Sequence, residues 1–475
     1  MHSASPTGPA TRGSADAAAL VADSSAVDDA PSASAEPEPA PSGPTTRALE
    51  WVDPASIAAE PAGATLVARD LLTGVGLPRA RSGWIPGAIL VAIVGGYVAT
   101  TLLWPLGSVP PTVAPIAVEP AVASTQQPVW PAVGSAAIGY EGGPTYASTA
   151  ERTQMASITK IVTVMTVLDT EPLELGQTGR EFSFTQSDSD AYWDYLRSDE
   201  SALDVPVDGT LTEYQMLEGI ILGSAGNYTD RLAQEFWPTD ADYVAAADAW
   251  LAKVGLTEIT VVEPTGIDHE NTATPEALIR LAEVALQNPV VAEIAAKQST
   301  ELPGAGLVTN TNGIIGDPGV VGLKTGTLEG YNLLSAKDLD IAGTRVRAFA
   351  VALDQESSDD RDAVSRSLYD QLTALLAPAT AVPAGTEVAT VTTTWGATST
   401  VRTAADANVS LWQKLPTVTR ELKLDEDTSA GAKAGTLTVT GALGASTVDL
   451  ELTDELPGPD AWWRLTHPVE LFGLN

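Results

Sequence analysis

The chain has 475 residues, which is too long for one ordinary domain and predicts two or three. It carries 61 Asp plus Glu residues against 25 Lys plus Arg, a formal net charge of -36, and this excludes nucleic acid or anionic lipid held by broad electrostatic attraction. The absence of cysteine excludes disulfides, thiolate nucleophiles and zinc–thiolate sites.

The three histidines, His2, His269 and His467, are too few and too scattered for a zinc cluster. A Ser-His-Asp triad would have to use His269, and no Gly-x-Ser-x-Gly elbow accompanies it. The sequence therefore predicts neither a metal site nor a bound cofactor.

An uncharged apolar segment follows an N-terminal tail that is rich in Ala, Pro, Ser and acidic residues. Residues 1–83 lack hydrophobic periodicity and are expected to be a disordered cytoplasmic tail. Residues 84–104 carry no charge and are long enough to cross a hydrocarbon core of about 30 Å. Arg79 and Arg81 precede them and predict a cytoplasmic N-terminus, with the rest of the chain outside the membrane. A cleaved signal peptide or a buried core helix fits this position and composition less well.

A Pro-, Val- and Ala-rich stretch, residues 105–130, is expected to be an extended spacer. Globular texture begins at residue 131 with a short hairpin, in which "SAAIGY" and "PTYAS" are separated by "EGG". Helices are predicted at "MASITKIVTVMTVLD", after the capping-box pair Thr212 and Gln215, and after Thr274 with Pro275 in its first turn.

The second half of the globular region contains a predicted strand, "RVRAFAVALD", and a closing amphipathic helix, "DRDAVSRSLYDQLTALL". Residues 379–475 then turn to Thr, Val and Gly and predict a small β-sandwich. Trp462, Trp463 and Phe472 are expected to be buried in that sandwich, with contact to a membrane or the wall as the alternative. The segment "DSDAYWDYLRSDE" lacks the turn glycine of a calcium loop and favours a solvated helix face or a groove rim.

The first candidate for chemistry is the pair Ser157 and Lys160. Positions three apart on a helix share one face, so the hydroxyl and the amine can meet. The start of a helix favours developing negative charge at Ser157, and the apolar surroundings lower the pKa of Lys160 so that neutral amine can act as a base. A capping serine with a snorkelling surface lysine remains the alternative, and this pair alone is weak evidence.

Two further motifs follow in order. Ser224 lies on a turn that leaves the second helix, 67 residues (224 − 157) after Ser157. Asn227 lies on the same turn. "VVGLKTGT" predicts a strand that carries Lys324, Thr325 and Gly326, with Lys324 167 residues (324 − 157) after Ser157. Its small terminal residue leaves room for a substrate chain along the strand edge.

In this order, Ser-x-x-Lys, Ser-x-Asn and Lys-Thr-Gly resemble the penicillin-recognising serine enzymes. The stretches "MASITKIVTVMTVL", "GIILGSAGNY", "PTGIDHENTATPEALIRLA" and "GVVGLKTGT" are similar to the D-alanyl-D-alanine carboxypeptidase branch over residues 131–378. The resemblance implies an α/β (α+β) fold, an antiparallel sheet with helices and a helical subdomain, followed by a small all-β domain at residues 379–475.

The resemblance also implies roles. Ser157 would attack the carbonyl between the two D-alanines of a peptidoglycan stem pentapeptide, and Lys160 would take its proton. Lys324 and Thr325 would bind the terminal carboxylate, beside Gly326, and the backbone N–H groups of Ser157 and Thr327 would form the oxyanion hole. Water would hydrolyse the acyl-enzyme, and β-lactams would be covalent inhibitors.

One departure from the family pattern lies in the middle motif, where the position of the family's asparagine is Gly226. Either Asn227 serves instead, or the site lacks a side-chain amide, which predicts a weak hydrolase or a silent peptidoglycan-binding homologue. A β-lactamase is a further alternative, but "EPLEL" comes too early to supply its deacylating glutamate. Members of this branch often end in an amphipathic anchoring helix; this chain ends "HPVELFGLN", so residues 84–104 are expected to be the anchor.

Overall fold

The computed structural model describes residues 84–474. The predicted disordered tail, residues 1–83, lies outside them. The helices, in chain order, are α1 Ile85–Leu103, α2 Thr159–Thr170, α3 Gln186–Arg197, α4 Glu213–Leu222, α5 Gly226–Phe236, α6 Asp240–Val254, α7 Pro275–Gln287, α8 Pro289–Ala295, α9 Ser358–Leu376, α10 Ala461–Thr466 and α11 Pro468–Leu471.

The strands, in chain order, are β1 Thr112–Pro115, β2 Ser135–Tyr140, β3 Tyr146–Ala147, β4 Thr153–Gln154, β5 Glu181–Ser183, β6 Thr210–Thr212, β7 Ile259–Thr260, β8 Thr272–Ala273, β9 Ser299–Leu302, β10 Gly306–Thr309, β11 Val320–Thr327, β12 Tyr331–Ile341, β13 Thr344–Gln355, β14 Pro378–Val382, β15 Glu387–Thr392, β16 Thr398–Thr403, β17 Ala407–Ser410, β18 Thr417–Leu422, β19 Lys433–Gly441 and β20 Gly444–Leu452.

Helix α1 matches the predicted apolar segment. It has 19 residues with a mean hydropathy of 1.9, and 6% of that stretch is buried. Within residues 84–474 it is the single helix long and apolar enough to cross a membrane. Its outward-facing apolar side chains favour a lipid environment over a protein core.

The larger globular region is built on a five-stranded antiparallel sheet with the order β11-β12-β13-β2-β3. Helix α9 covers one face and α7 the other. Alternate residues of a strand point to opposite faces, so Ile138 packs with Leu368 of α9 while Ala137 faces the core that contains Leu278 of α7. The predicted hairpin and the predicted strand at residues 345–354 are both present, and β11 lies at the sheet edge.

A helical layer holds α2 at its centre, packed by α4, α5, α6 and α7. Every residue of α2 from Thr159 to Leu168 is buried, which explains why its apolar residues are not confined to one face. The predicted caps are confirmed: Thr212 and Gln215 form a capping box on α4, and Thr274 accepts from Ala277 N at the start of α7. The predicted fold class, an antiparallel sheet with helices and a helical subdomain, is confirmed.

The β-rich region that follows is a six-stranded sheet with the order β1-β15-β16-β20-β19-β18, against which the pair β14 and β17 packs. Its first strand comes from the expected spacer: Thr112 to Pro115 pair with Thr392 to Ala389. Farther on, Ala121 N donates to Ala381 O and Ser124 N to Leu411 O, both at 2.8 Å. The segment is extended, as expected, but it is bound along the β-rich region.

The expectation that Trp462, Trp463 and Phe472 are buried in the sandwich is wrong. The prolines of "ELPGPD" end the sheet, and the Asp460 carboxylate then caps α10 by accepting from Trp463 N at 2.7 Å. Trp462 on α10 is 74% exposed. Phe472, after α11, packs edge-on against Trp104 with ring centroids 4.8 Å apart. The end of the chain therefore contacts α1 through two short helices.

Candidate active site

Ser157 lies in a tight 3-10 turn, Ala156–Ile158, immediately before α2. The preceding Ala156 has a φ of 50°, a left-handed conformation that is uncommon for alanine. The Lys160 ammonium is 2.9 Å from Ser157 Oγ, within the reach required for direct proton transfer. The spacing in the sequence therefore corresponds to a real contact between hydroxyl and amine.

Lys160 is 2% exposed, and its Nζ also donates to the carbonyl of Thr265. Burial lowers its pKa to about 8, against the opposing influence of the nearby carboxylates of Glu263, Asp230 and Glu200. The predicted lowering of the lysine pKa is confirmed. Near neutral pH a fraction of the side chain is the neutral amine that a base must be.

A loop centred on Glu263 holds the Thr265 carbonyl in place. The Glu263 carboxylate accepts hydrogen bonds from Thr265 N, Gly266 N and Asn271 Nδ2, each at 2.6 Å. Gly266 has a φ of 82°, and a Cβ there would lie 2.0 Å from the Ala156 carbonyl. Only glycine allows this loop to approach the serine turn so closely.

Strand β11 passes beside the serine turn. A Cβ at Gly326 would lie 2.8 Å from Met155 O and 3.1 Å from Ser157 N, so the small residue lets the strand lie directly against the serine. Lys324 is 1% exposed, and its Nζ donates to Thr325 O at 3.0 Å. Burial, together with the positive charges of Lys160 and Arg361, lowers the pKa of Lys324 well below its usual value. A bound anion would oppose this lowering.

Arg361 is a site residue that the sequence reasoning missed. It is 6% exposed on α9, and its guanidinium lies 3.5 Å from Thr327 Oγ1 and 3.3 Å from Asn332 O. Its Nε has no hydrogen-bond partner within the described residues. An amphipathic helix pattern assigns such an arginine to solvent; a buried position behind the Lys-Thr-Gly strand gives the site a third cation.

The middle motif departs from its expected role. Ser224, with a φ of 58°, is buried in the turn between α4 and α5, and its hydroxyl makes no hydrogen bond to Ser157 or Lys160 in the described chain. Asn227 Oδ1 accepts from Leu203 N at 3.1 Å, and its Nδ2 donates to Leu203 O at 2.8 Å. Of the two alternatives, Asn227 in place of the missing amide or a site without a side-chain amide, these contacts favour the second, because backbone groups occupy both ends of the Asn227 side chain.

A serine and a buried lysine one turn apart, beside an edge strand that carries Lys-Thr-Gly, define a serine enzyme of the penicillin-recognising class. Residues 142–356 match the family described as D-alanyl-D-alanine carboxypeptidase. Residues 142–356 therefore carry a serine enzyme of the D-Ala-D-Ala carboxypeptidase type, in the penicillin-binding group.

Several solved structures are similar to the chain. Penicillin-binding protein 5 from Haemophilus influenzae is 17% identical, with a TM-score of 0.49, over 70% of this chain and 100% of that one. The Streptomyces K15 DD-transpeptidase is 20% identical, with a TM-score of 0.46, over 55% of this chain and 100% of that one. A Streptococcus pneumoniae peptidoglycan synthesis regulatory factor is 20% identical, with a TM-score of 0.47, over 68% and 99%. None of the curated protein sequences matches this chain.

Proposed function

We propose that the protein removes the terminal D-alanine of peptidoglycan stem pentapeptides through an acyl-enzyme on Ser157. The observation that carries the proposal is the contact of 2.9 Å between Lys160 Nζ and Ser157 Oγ, at a serine that lies against the edge strand β11. An edge strand offers unpaired backbone groups to an extended peptide. β-Lactams would acylate the same serine.

The first half-reaction begins when neutral Lys160 takes the proton of Ser157. The serine oxygen attacks the carbonyl carbon between the two D-alanines, and the backbone N–H groups of Ser157 and Thr327 stabilise the oxyanion. The C–N bond breaks as Lys160 returns the proton to the leaving amine. Free D-alanine departs and leaves an ester on Ser157.

In the second half-reaction a water molecule attacks this ester. Lys160 again accepts a proton and returns it to the serine oxygen, so the free enzyme is regenerated with a shortened peptide. The terminal carboxylate of the incoming substrate would be bound by Lys324, Thr325 and the neighbouring Arg361, since three buried donors of this kind favour an anion. A bound carboxylate would add to the hydrogen bonds that these side chains make to backbone carbonyls and to Thr311.

The same proposal includes location and domain organisation. Helix α1 would be a single-pass anchor, with the N-terminus in the cytoplasm because Arg79 and Arg81 precede it, and the enzyme would act outside the cell membrane. Residues 131–378 would form the catalytic domain and residues 379–475 the β-rich domain. Trp84 and Trp104 flank α1 and favour the two membrane interfaces.

A silent peptidoglycan-binding protein is the second candidate. One observation favours it: position 226 is glycine, and the amide of Asn227 is bonded to Leu203. A site without a donor or acceptor for the substrate amide could still bind the peptide while reacting slowly.

The test is covalent labelling of the full chain in detergent with a fluorescent penicillin. We expect a stable labelled band from the wild type and none from Ser157→Ala, together with release of D-alanine from a pentapeptide analogue. A wild type that binds the pentapeptide but takes no label would support the silent binder instead. Rapid loss of label with repeated penicillin turnover would support a β-lactamase.

A further inference from the structure

The space above Gly226 is filled by an aromatic side chain from another helix. A Cβ at Gly226 would lie 2.5 Å from Tyr195 Cε1 and 3.1 Å from Tyr195 Cδ1. An asparagine at position 226 cannot coexist with this ring, since real Cβ atoms do not approach so closely. The ring of Tyr195 therefore takes the volume that the family's middle-motif side chain would occupy.

The hydroxyl of Tyr195 is fixed by a carboxylate. It donates its hydrogen to Asp230 Oδ2 on α5. A phenol that gives its proton to a neighbour keeps lone pairs on its oxygen, which can accept a hydrogen bond from a third group. Tyr195 is half-buried, so its side chain is partly accessible to solvent.

The carboxylate that Tyr195 binds, that of Asp230, influences the pKa of the catalytic lysine. Asp230 and Glu200 both oppose the lowering of the Lys160 pKa that burial causes. The pKa of Asp230 is raised to about 6, first by burial. The Tyr195 hydroxyl is therefore hydrogen-bonded to one of the carboxylates whose charge acts on Lys160.

The chain segment after α3 is attached to the start of α5 residue by residue. Gly226 N donates to Ser201 O at 2.8 Å, the Asn227 side chain binds Leu203, and the Tyr228 hydroxyl donates to Asp204 O at 2.6 Å. This attachment fixes the end of α3, which carries Tyr195, above the middle motif. It also gives Asn227 a positioning role.

We propose that Tyr195, oriented by Asp230, replaces the missing amide of the middle motif and accepts the hydrogen bond of the substrate peptide N–H. The inference rests on the proposed function and deepens it: it assigns the substrate-amide contact to α3, a helix outside all three motifs. Tyr195 is then a binding residue of the acyl-donor site, and Asp230 and Asn227 position it.

The test compares full-chain variants for acylation by fluorescent penicillin and for kcat and KM with a pentapeptide analogue. Tyr195→Phe keeps the ring and removes the acceptor, and we expect kcat/KM to fall about 10- to 100-fold. The matched control is Tyr214→Phe, because the Tyr214 hydroxyl also donates to a carboxylate, that of Glu293, at the far end of α4. This control should retain wild-type kinetics.

A rescue variant excludes a merely structural effect. Tyr195→Ala opens the volume above Gly226, and adding Gly226→Asn restores an amide there. We expect the double variant to be at least tenfold more active than Tyr195→Ala. Gly226→Asn alone should lower activity, because the asparagine clashes with the ring. Thermal melting of each variant confirms that it is folded.

The outcomes separate the two proposals. A wild type that is labelled at the same rate as Tyr195→Phe, with no rescue in the double variant, would overturn this inference and leave the proposed function standing. A folded wild type that neither takes label nor releases D-alanine would overturn the proposed function and this inference with it.

Discussion

The catalytic region and the β-rich region bury polar groups in opposite ways. Every buried charged side chain in residues 84–474 lies in the catalytic region; they are Lys160, Glu213, Glu218, Lys324, Arg361 and Asp362. In the β-rich region the buried polar side chains are hydroxyls, those of Thr393, Ser399, Thr403 and Ser410. Burying a charge is costly unless a partner or a function compensates for it, so one region is organised for chemistry and the other for packing.

Backbone conformation repeats the difference. In the catalytic region, the residues that precede or form the motif turns, Ala156 and Ser224, have positive φ angles without being glycine. Such conformations persist where the surrounding structure enforces them and cluster at functional sites. In the β-rich region Gln413 alone among the described non-glycine residues has this conformation, in a loop remote from the motifs. Four other non-glycine residues of the catalytic region, Asp199, Asp208, Ala342 and Asp354, share this conformation outside the motifs, so the conformation distinguishes the two regions rather than the site itself.

The largest effect should follow from removing the buried amine. Lys160→Ala leaves Ser157 without its base, and we expect the rate of penicillin labelling to fall about 100- to 10,000-fold. The control is Lys253→Ala, an exposed lysine paired with Asp169, which should label at the wild-type rate. A labelled Lys160→Ala at near-normal rate would show that this buried charge is structural.

Gly326 tests how closely the strand must approach the serine. Gly326→Val places carbon 2.8 Å from Met155 O and 3.1 Å from Ser157 N, so backbone must move and the oxyanion site opens; we expect roughly a 100-fold loss of labelling rate. Gly316→Val is the matched control, because nothing lies within 4 Å of a Cβ there. Equal rates for the two variants would contradict the proposed oxyanion site.

The pH profile tests the state of the amine. The pKa of Lys160 is lowered to about 8, so the neutral base is fully present above that pH and is lost as pH falls through it. We expect the labelling rate to drop about tenfold per pH unit below about 8. Circular dichroism over the same range controls for unfolding. A profile that is flat between pH 6 and 9 would rule out Lys160 as the base.

Asn227 should affect stability more than reactivity. Asn227→Ala leaves Leu203 N and O without partners, and we expect unfolding free energy to fall by about 1–3 kcal/mol, with a loss of labelling rate below tenfold through the loosened α3. Thermal melting and labelling of the same sample measure both. A severe loss of labelling with unchanged stability would return Asn227 to direct contact with substrate.

The β-rich core should leave reactivity unchanged. Leu437 is fully buried in that core, and Leu437→Ala should lower unfolding free energy by about 2–5 kcal/mol. The labelling rate per folded molecule should equal that of the wild type. A changed rate would show that packing in the β-rich region affects reactivity in the catalytic region.

The sequence predicted the parts of this structure that depend on local pattern. Periodicity and capping residues located α1, α2, α4 and α7, and the spacing of Ser157 and Lys160 indicated their contact. Tertiary packing decided the rest. Arg361 sits on a helix whose amphipathic pattern points such a residue at solvent, and Tyr195 meets Gly226 only because the segment after α3 folds back onto α5.

Composition misled at the C-terminus for a related reason. Tryptophan in a strand-rich region predicts burial, but the two prolines before Asp460 end the sheet and Asp460 starts a helix, so Trp462 faces outward. The pairing of the spacer with the β-rich region was not predicted, because β1 finds its partner in β15, far away in the chain. No local pattern records such a pairing.

The bound spacer has a consequence for where the enzyme can cut. A free chain of 26 residues, the length of 105–130, would span about 28 Å on average and let a tethered domain sweep that radius. Here Ile116 N donates a hydrogen bond to Val388 O, and Trp412 donates to Gln126 O at 2.8 Å. The spacer therefore does not act as a free linker. With α1 in the bilayer, the cleft would stay at one fixed distance from the membrane. The enzyme would then trim only the layer of wall at that distance.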